Sequence, residues 1–168
     1  MSRVDVVRTY LELLNRADLR PAPLPPGARV VRRDPCDVDQ YRRLYHAVGA
    51  RWNWRDRLVW TDDQLAAHLS SPAVSVWELL VGGRSAGYFE LKRDHGSSVE
   101  IAYFGLIPEF IGQGLGAALL TRAVEEAWSL GAGRVWLHTC TLDSPHALPN
   151  YRSRGFREFR TERYETDV

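Results

Sequence analysis

The segment FIGQGLGAALL, Phe110 to Leu120, sets Gly112, Gly114 and Gly116 at alternate positions directly before a run of good helix formers. Glycine inside a helix costs roughly 1 kcal/mol against alanine, so a cluster at a helix start calls for a tight turn or a closely approaching ligand. A P-loop needs a lysine after its last glycine, and Leu115, Gly116 and Ala117 supply none. The formal Gly-x-Gly-x-x-Ala from Gly112 to Ala117 lacks the βαβ context and the acidic residue of a dinucleotide site. Two readings stay open: a structural turn, and a cradle in which bare backbone N–H groups at a helix N-terminus face a pyrophosphate. Other residues with chemistry stand nearby in sequence. Glu100 is the single carboxylate in the apolar run VEIAYFGLI, and Tyr151 lies in TLDSPHALPNYRSRGF. His138 and Cys140 share a strand face with His146 beyond, but three ligands without a matched fourth favour packing, and no metal is expected.

The elements that must position these groups follow from period and turn chemistry. Residues 3–14 fit a strand or an amphipathic helix, with β-branched content leaning to strand, and 17–27 form a proline-rich linker. A strand over 28–32 precedes helices over 37–48, with Asp37 as N-cap, and from Asp62 or Asp63 to Leu69. Strands over 74–81, 85–92 and 99–107 form an antiparallel meander, the third central because it is apolar on both faces. A helix over 114–130 capped by Gly131 leads to a strand over 134–140. Ser144 then caps a helix that Pro149 kinks and Gly155 ends, and a last strand covers 156–164. These make one α+β domain with a central, mixed, mostly antiparallel sheet of about 6–7 strands and about four helices. Residues 1–27 are an extension and linker packed on a domain of residues 28–168.

The 168 residues suit one domain, and a net charge of +1 gives no steering toward nucleic acid. No apolar run is long enough for a bilayer, so no membrane partner is expected. The start, MSRVDVVRTYLELLNR, interrupts its apolar residues with Asp5 and Glu12, and Cys36 and Cys140 form no disulfide framework. A cytoplasmic protein is expected.

Over roughly residues 74 to 164 the chain resembles the GCN5-related N-acetyltransferase superfamily. Leu106-Ile-Pro108 followed by Ile111-Gly-Gln-Gly114-Leu-Gly116 matches the family's Arg/Gln-x-x-Gly-x-Gly/Ala signature after an apolar-x-Pro step, with Ile111 in place of Arg or Gln. Ser144-Pro-His-Ala147-Leu-Pro-Asn-Tyr151-Arg-Ser-Arg-Gly155-Phe156 matches a second motif, with Ser144 in place of Asn.

The resemblance implies an acetyltransferase that moves an acetyl group from acetyl-CoA to a primary amine of a small molecule by direct attack. A peptide or protein acceptor, or a catalytically silent coenzyme A-binding module, is the alternative. The cosubstrate is expected against Leu106, Ile107, Gly112, Gln113, Gly114, Leu115, Gly116, Ala117, Ser144 and Ala147, with its arm in a gap between the strands 99–107 and 134–140. The oxyanion donor is a backbone N–H near Leu106, where the family's strand bulges. Tyr151 matches the tyrosine that protonates the thiolate, and Glu100 stands where histone-modifying members hold their base. An arginine-paired structural role for Glu100 remains the alternative. If the hairpin turns about His95, Glu90 and Glu100 fall opposite one another and like charge raises one pKa. On the acceptor side, ARWNWRDRLVW offers Trp52 and Trp54 as a wall, with Arg51 and Arg55 as anchors for an acceptor carboxylate. Core packing or a homodimer interface is the competing use of those tryptophans.

Overall fold

The computed structural model describes residues 2–168. Seven strands form one sheet in the order β2-β3-β4-β5-β6-β1-β7. They are β1 (Arg3–Leu13), β2 (Ala28–Arg33), β3 (Val74–Val81), β4 (Arg84–Arg93), β5 (Ser98–Leu106), β6 (Arg134–Cys140) and β7 (Arg157–Asp167). Every neighbouring pair is antiparallel except β5 and β6. Four α-helices flank the sheet: α1 (Val38–Gly49), α2 (Asp62–Leu69), α3 (Leu115–Ser129) and α4 (Ala147–Arg154). No helix among the described residues is long and apolar enough to cross a membrane.

Strand alternation divides the core in two. On β4, Phe89 and Leu91 point to α3, where Leu115, Leu119, Leu120 and Val124 pack against them, and Tyr88 points to the Tyr41, Leu44, Tyr45 and Val48 face of α1. Each of these leucines, removed from water, contributes about 1.5–3 kcal/mol. β3 and β4 are therefore buried on both sides. β6 and β1 send Leu137 and Leu11 into the α3 core while Trp136 and Tyr10 stay half-buried and His138 more exposed on the other face.

Residues 3–13, set apart by sequence as part of an extension, are an interior strand. β1 pairs with β6 along Arg8–Leu13 and with β7 along nearly its whole length, so the sheet depends on it. A cap at Gly155 closes α4 at φ 111°, and a Cβ there would collide with the Asp18 carbonyl, while the Arg20 N–H donates to the Arg154 carbonyl at 2.8 Å. The segment after β1 thus threads tightly past the end of α4.

α2 opens at Asp62, as expected, and its cap is Thr61, whose side chain accepts from the Gln64 N–H while the Gln64 side chain accepts from the Thr61 N–H. That capping box was readable as Thr-x-x-Gln. Two local expectations change. α4 begins at Ala147 and not at Ser144, which leaves Pro149 at the third helical position, where its missing N–H breaks no helical bond and no kink is needed. The β4–β5 turn centres on Gly96, φ 73°, because Lys92 pairs with Glu100 and Arg93 with Val99. Glu90 therefore faces Tyr103, and the two glutamates are not opposite.

Candidate active site

The parallel pairing of β5 with β6 lasts only from Ser98/Arg134 to Glu100/Trp136. Beyond it the strands part. The reason lies one step further along β5: pairing with β4 passes from Ile101 opposite Leu91 to Tyr103 opposite Glu90, so Ala102 is an extra, bulged residue. A bulge bends and twists its strand. The expected bulge near Leu106 thus sits at Ala102, and it opens the gap.

The Ile107 N–H donates to the Ala86 carbonyl at 2.8 Å, which fixes the phase of the β4–β5 ladder. By the antiparallel alternation, the N–H groups of Leu106 and Phe104 turn away from β4 and into the gap. Ile107 is thus committed to the sheet, whereas Leu106 presents an open edge.

A cavity of about 520 Å³ runs through this gap, lined on one side by Leu106, Gly116, Ala147 and Tyr151 and on the other by Trp54, Glu100 and His138. That size is ordinary for a small-molecule site. At its first end lies the start of α3. α1 and α2 are capped by the side chains of Asp37 and Thr61, but α3 begins at Gly114 in the left-handed region, φ 76°, with no side-chain cap. No side chain caps its first N–H groups, and the helix dipole there favours an anion. A Cβ at Gly112 or Gly114 would meet nothing within 4 Å, so both glycines are required by their φ values of 88° and 76°. Gly114→Ala is accordingly expected to lower the unfolding free energy by about 1–2 kcal/mol, through backbone strain alone, in a denaturant titration.

The sequence-derived residues divide on this geometry. Leu106, Gly116, Ser144 and Ala147 line the cavity, as do Glu100, Tyr151, Trp52, Trp54 and Arg55. Gly112, Gln113, Gly114 and Ala117 lie at the start of α3 beyond its wall, and the Gln113 side chain donates back to the Glu109 carbonyl at 3.3 Å. Leu115 is a core residue. Ile111, in the family's Arg/Gln position, lines the cavity with an apolar side chain.

Glu90 does not reach the cavity. It is fully buried and accepts from the Tyr41 hydroxyl at 2.5 Å, from Arg57 at 3.1 Å and from His68 Nε2 at 2.8 Å. Burial pushes its carboxyl up, but the His68 bond, the Arg57 charge and the Tyr41 bond outweigh that and hold it below its ordinary value. Arg57 in turn lies over Trp60 at 4.3 Å and Tyr103 at 4.9 Å. This knot ties the loop between α1 and α2 to the sheet. Trp54 makes a second tie: its Nε1–H donates to Asp143 at 3.1 Å, and Asp143 also accepts from the Thr139 hydroxyl and the Cys140 N–H. Gly49 leaves space for the Trp54 ring, which a Cβ would strike.

Glu100 stands at the fork where the strands separate, with Oε2 4.0 Å from His138 Nε2. Burial first, and then the charge of Asp94, push its carboxyl up to about 7, against the pull of Lys92. His138 is pushed below its ordinary value by burial and by the nearby Arg8 charge, so it is neutral at pH 7. Tyr151 is held in its protonated form by burial. A titrating carboxylate, a neutral imidazole and a phenol that keeps its proton thus share one cavity. Sequence reasoning set His138 aside as packing. The signal was present in RVWLHTC, where Val135, Leu137 and Thr139 are buried and Trp136, His138 and Cys140 alternate with them.

Residues 39–156 match the model of the acetyltransferase (GNAT) family, and the chain belongs to that family. It is 28% identical over 145 residues to the mycothiol acetyltransferase of Clavibacter michiganensis subsp. michiganensis, covering 85% of this chain and 47% of that protein. It is 30% identical over 101 residues to an uncharacterised N-acetyltransferase of Mycobacterium bovis, covering 58% of this chain and 65% of that protein. The chain therefore spans about half the length of the first relative and just under two thirds of the second. Among solved structures, a GCN5-related N-acetyltransferase from Kribbella flavida superposes with a TM-score of 0.69 at 18% identity, over 97% of this chain and 58% of that one. An aminoglycoside acetyltransferase from an uncultured soil metagenomic sample, in complex with sisomicin, gives 0.64 at 16% identity over 76% of this chain and 87% of that one. At such identities the likeness is one of fold.

Proposed function

We propose that this protein transfers an acetyl group from acetyl-CoA to the primary amine of a small molecule by direct attack. The observation that carries the reading is the continuous cavity through the β5–β6 gap, with Tyr151 on one side and the Glu100–His138 pair on the other. The uncapped start of α3, kept bare by Gly112, Gly114 and Gly116, suits the pyrophosphate, and the open β5 edge at Phe104 and Leu106 suits the amide-bearing pantetheine arm. With Ile111 contributing no charge, the grip on phosphate rests on main chain and helix dipole.

Each residue then has a task. An amine of pKa near 10 arrives protonated, and Glu100, ionised for about half the molecules at pH 7, takes that proton directly or through His138. The nitrogen forms its bond to the carbonyl carbon while the open-edge N–H groups of β5 stabilise the developing oxyanion. As the carbon–sulfur bond breaks, Tyr151 gives its proton to the sulfur, and the second proton that the attacking nitrogen sheds in becoming an amide restores the phenol, directly or through solvent. A small acceptor is favoured over a peptide because the Trp54–Asp143 tie bridges the α1–α2 loop and the loop after β6 across the acceptor side. The sisomicin complex of the soil acetyltransferase is a precedent for such an acceptor on this fold.

The test is amine-dependent release of free thiol from acetyl-CoA, compared between wild type and Tyr151→Phe. The variant is expected to lose about 10²-fold in kcat, the low end of a general-acid contribution, with its affinity for coenzyme A unchanged. Weakened coenzyme A binding with kcat intact would make Tyr151 a wall of the thiol site instead.

A further inference from the structure

The acceptor half of the cavity contains a guanidinium that no carboxylate of the described residues engages within ion-pair distance. Arg8 enters it from β1 and donates to the Tyr164 hydroxyl at 3.4 Å, its guanidinium carbon 4.9 Å from the centre of that ring. Glu162, opposite Arg8 in the β1–β7 ladder, is taken up by Arg160 at 3.0 Å. The other cations of the site are differently placed: Arg57 is bound to Glu90, and Arg55 and Lys92 are exposed at the rim. Arg51 lies over Trp52 at 6.0 Å and does not line the cavity.

Arg8 also stands in register with the reacting groups. Tyr10 pairs with His138 and Arg8 with Cys140, so Arg8 is the diagonal neighbour of His138 on the same face, a separation of about 7–8 Å between Cα atoms. Glu100, His138 and Arg8 therefore follow one another across β5, β6 and β1. A half-buried cation without an ion-pair partner favours an anion from outside, and the planar guanidinium fork matches a carboxylate in two hydrogen bonds, whereas a phosphate more often gathers several cations.

We propose that Arg8 anchors a carboxylate of the acceptor, so that the amine presented to Glu100 and His138 belongs to an amino-acid-like small molecule. The proposal rests on the reading of this cavity half as the acceptor site. It assigns substrate choice to the N-terminal strand.

The test separates anchoring from turnover. Binding to the protein saturated with coenzyme A is measured calorimetrically for glycine, β-alanine and 4-aminobutyrate, for the carboxamide of each, and for O-phosphoethanolamine. At least one acid is expected to bind about tenfold or more tightly than its carboxamide, the size of a charge-assisted hydrogen bond. In Arg8→Gln that difference collapses while coenzyme A binding and the thermal midpoint stay as in wild type, and Arg8→Lys retains part of it. Equal binding of every acid and its amide by wild type, or a difference that survives in Arg8→Gln, overturns the proposal. Preference for O-phosphoethanolamine over all three acids overturns the carboxylate assignment. If the acids bind through Arg8 yet acetyl-CoA yields no thiol with any of them, the acetyl-transfer reading fails and the anchor stands.

Discussion

Glu100→Gln is expected to lower kcat/KM for the amine by about 10²–10⁴, the range that a positioned general base contributes. It should also change the shape of the pH profile. Proton removal needs the ionised carboxyl, so wild-type activity rises with pH through an inflection near 7, where burial and Asp94 have moved Glu100. Above that inflection the rate levels off, because the acceptor, of pKa near 10, still arrives protonated and Glu100 removes its proton; without that base the rate would instead follow the acceptor's free-base fraction. In Glu100→Gln the inflection near 7 disappears and only the acceptor's slope remains. Loss of activity with an inflection that persists but lies below the ordinary histidine value would assign the base to His138 instead.

The same substitution carries a stability signature of opposite sign. Between its ordinary value of 4.5 and its native value of about 7, Glu100 is ionised in the unfolded chain while still protonated in the folded one. The unfolded state then binds fewer protons, so stability falls as pH rises through that window and stays low above it. The loss is on the order of 2 kcal/mol. Glu100→Gln should therefore melt higher than wild type at pH 8 and lose that difference at pH 4. A carboxylate retained for structure would show the reverse.

Arg57→Met is expected to have the largest effect on folding. Glu90 is 0% exposed, and without the guanidinium 3.1 Å away its charge has only Tyr41 and His68 to answer it. Removing one partner of a buried ion pair costs about 3–5 kcal/mol, because the other charge is left in a medium that cannot solvate it. Arg57 also spans Trp60 and Tyr103, so the α1–α2 loop loses its fastening. KM for the amine should rise while affinity for coenzyme A, whose proposed site lies at the start of α3 and along β5, changes little. The double variant Arg57→Met/Glu90→Gln should recover part of the lost stability, since it removes the stranded charge as well as its partner. A double variant as unstable as the sum of the two singles would show that the pair is not coupled.

How much of this was legible in the chain depends on the range of the interaction. α3, its glycine start and the meander of β3, β4 and β5 rest on local period and turn chemistry, and they stand where the residues put them. Glu100 was conspicuous for a local reason too, a lone carboxylate in an apolar run. What escaped was set by pairing over distance. One bulged residue at Ala102 and a turn centred on Gly96 in place of His95 displaced Glu90 from Glu100, and no single-residue propensity announces either. Arg8 has no signal at all until β1 is known to lie between β6 and β7. Trp54 stood out as one of three tryptophans in ARWNWRDRLVW, but its strut needs Asp143, 89 positions away.

The central claim is that the gap between β5 and β6 joins a thioester donor to an amine acceptor. It is tested most directly by incubating the protein with acetyl-CoA and a panel of small amines, then quantifying free thiol and identifying acetylated product by mass spectrometry. The account predicts free thiol and N-acetylated amine in equal amounts, released only when an accepted amine is present. Thiol released at the same rate without amine, or no thiol with any amine while coenzyme A still binds, would contradict it.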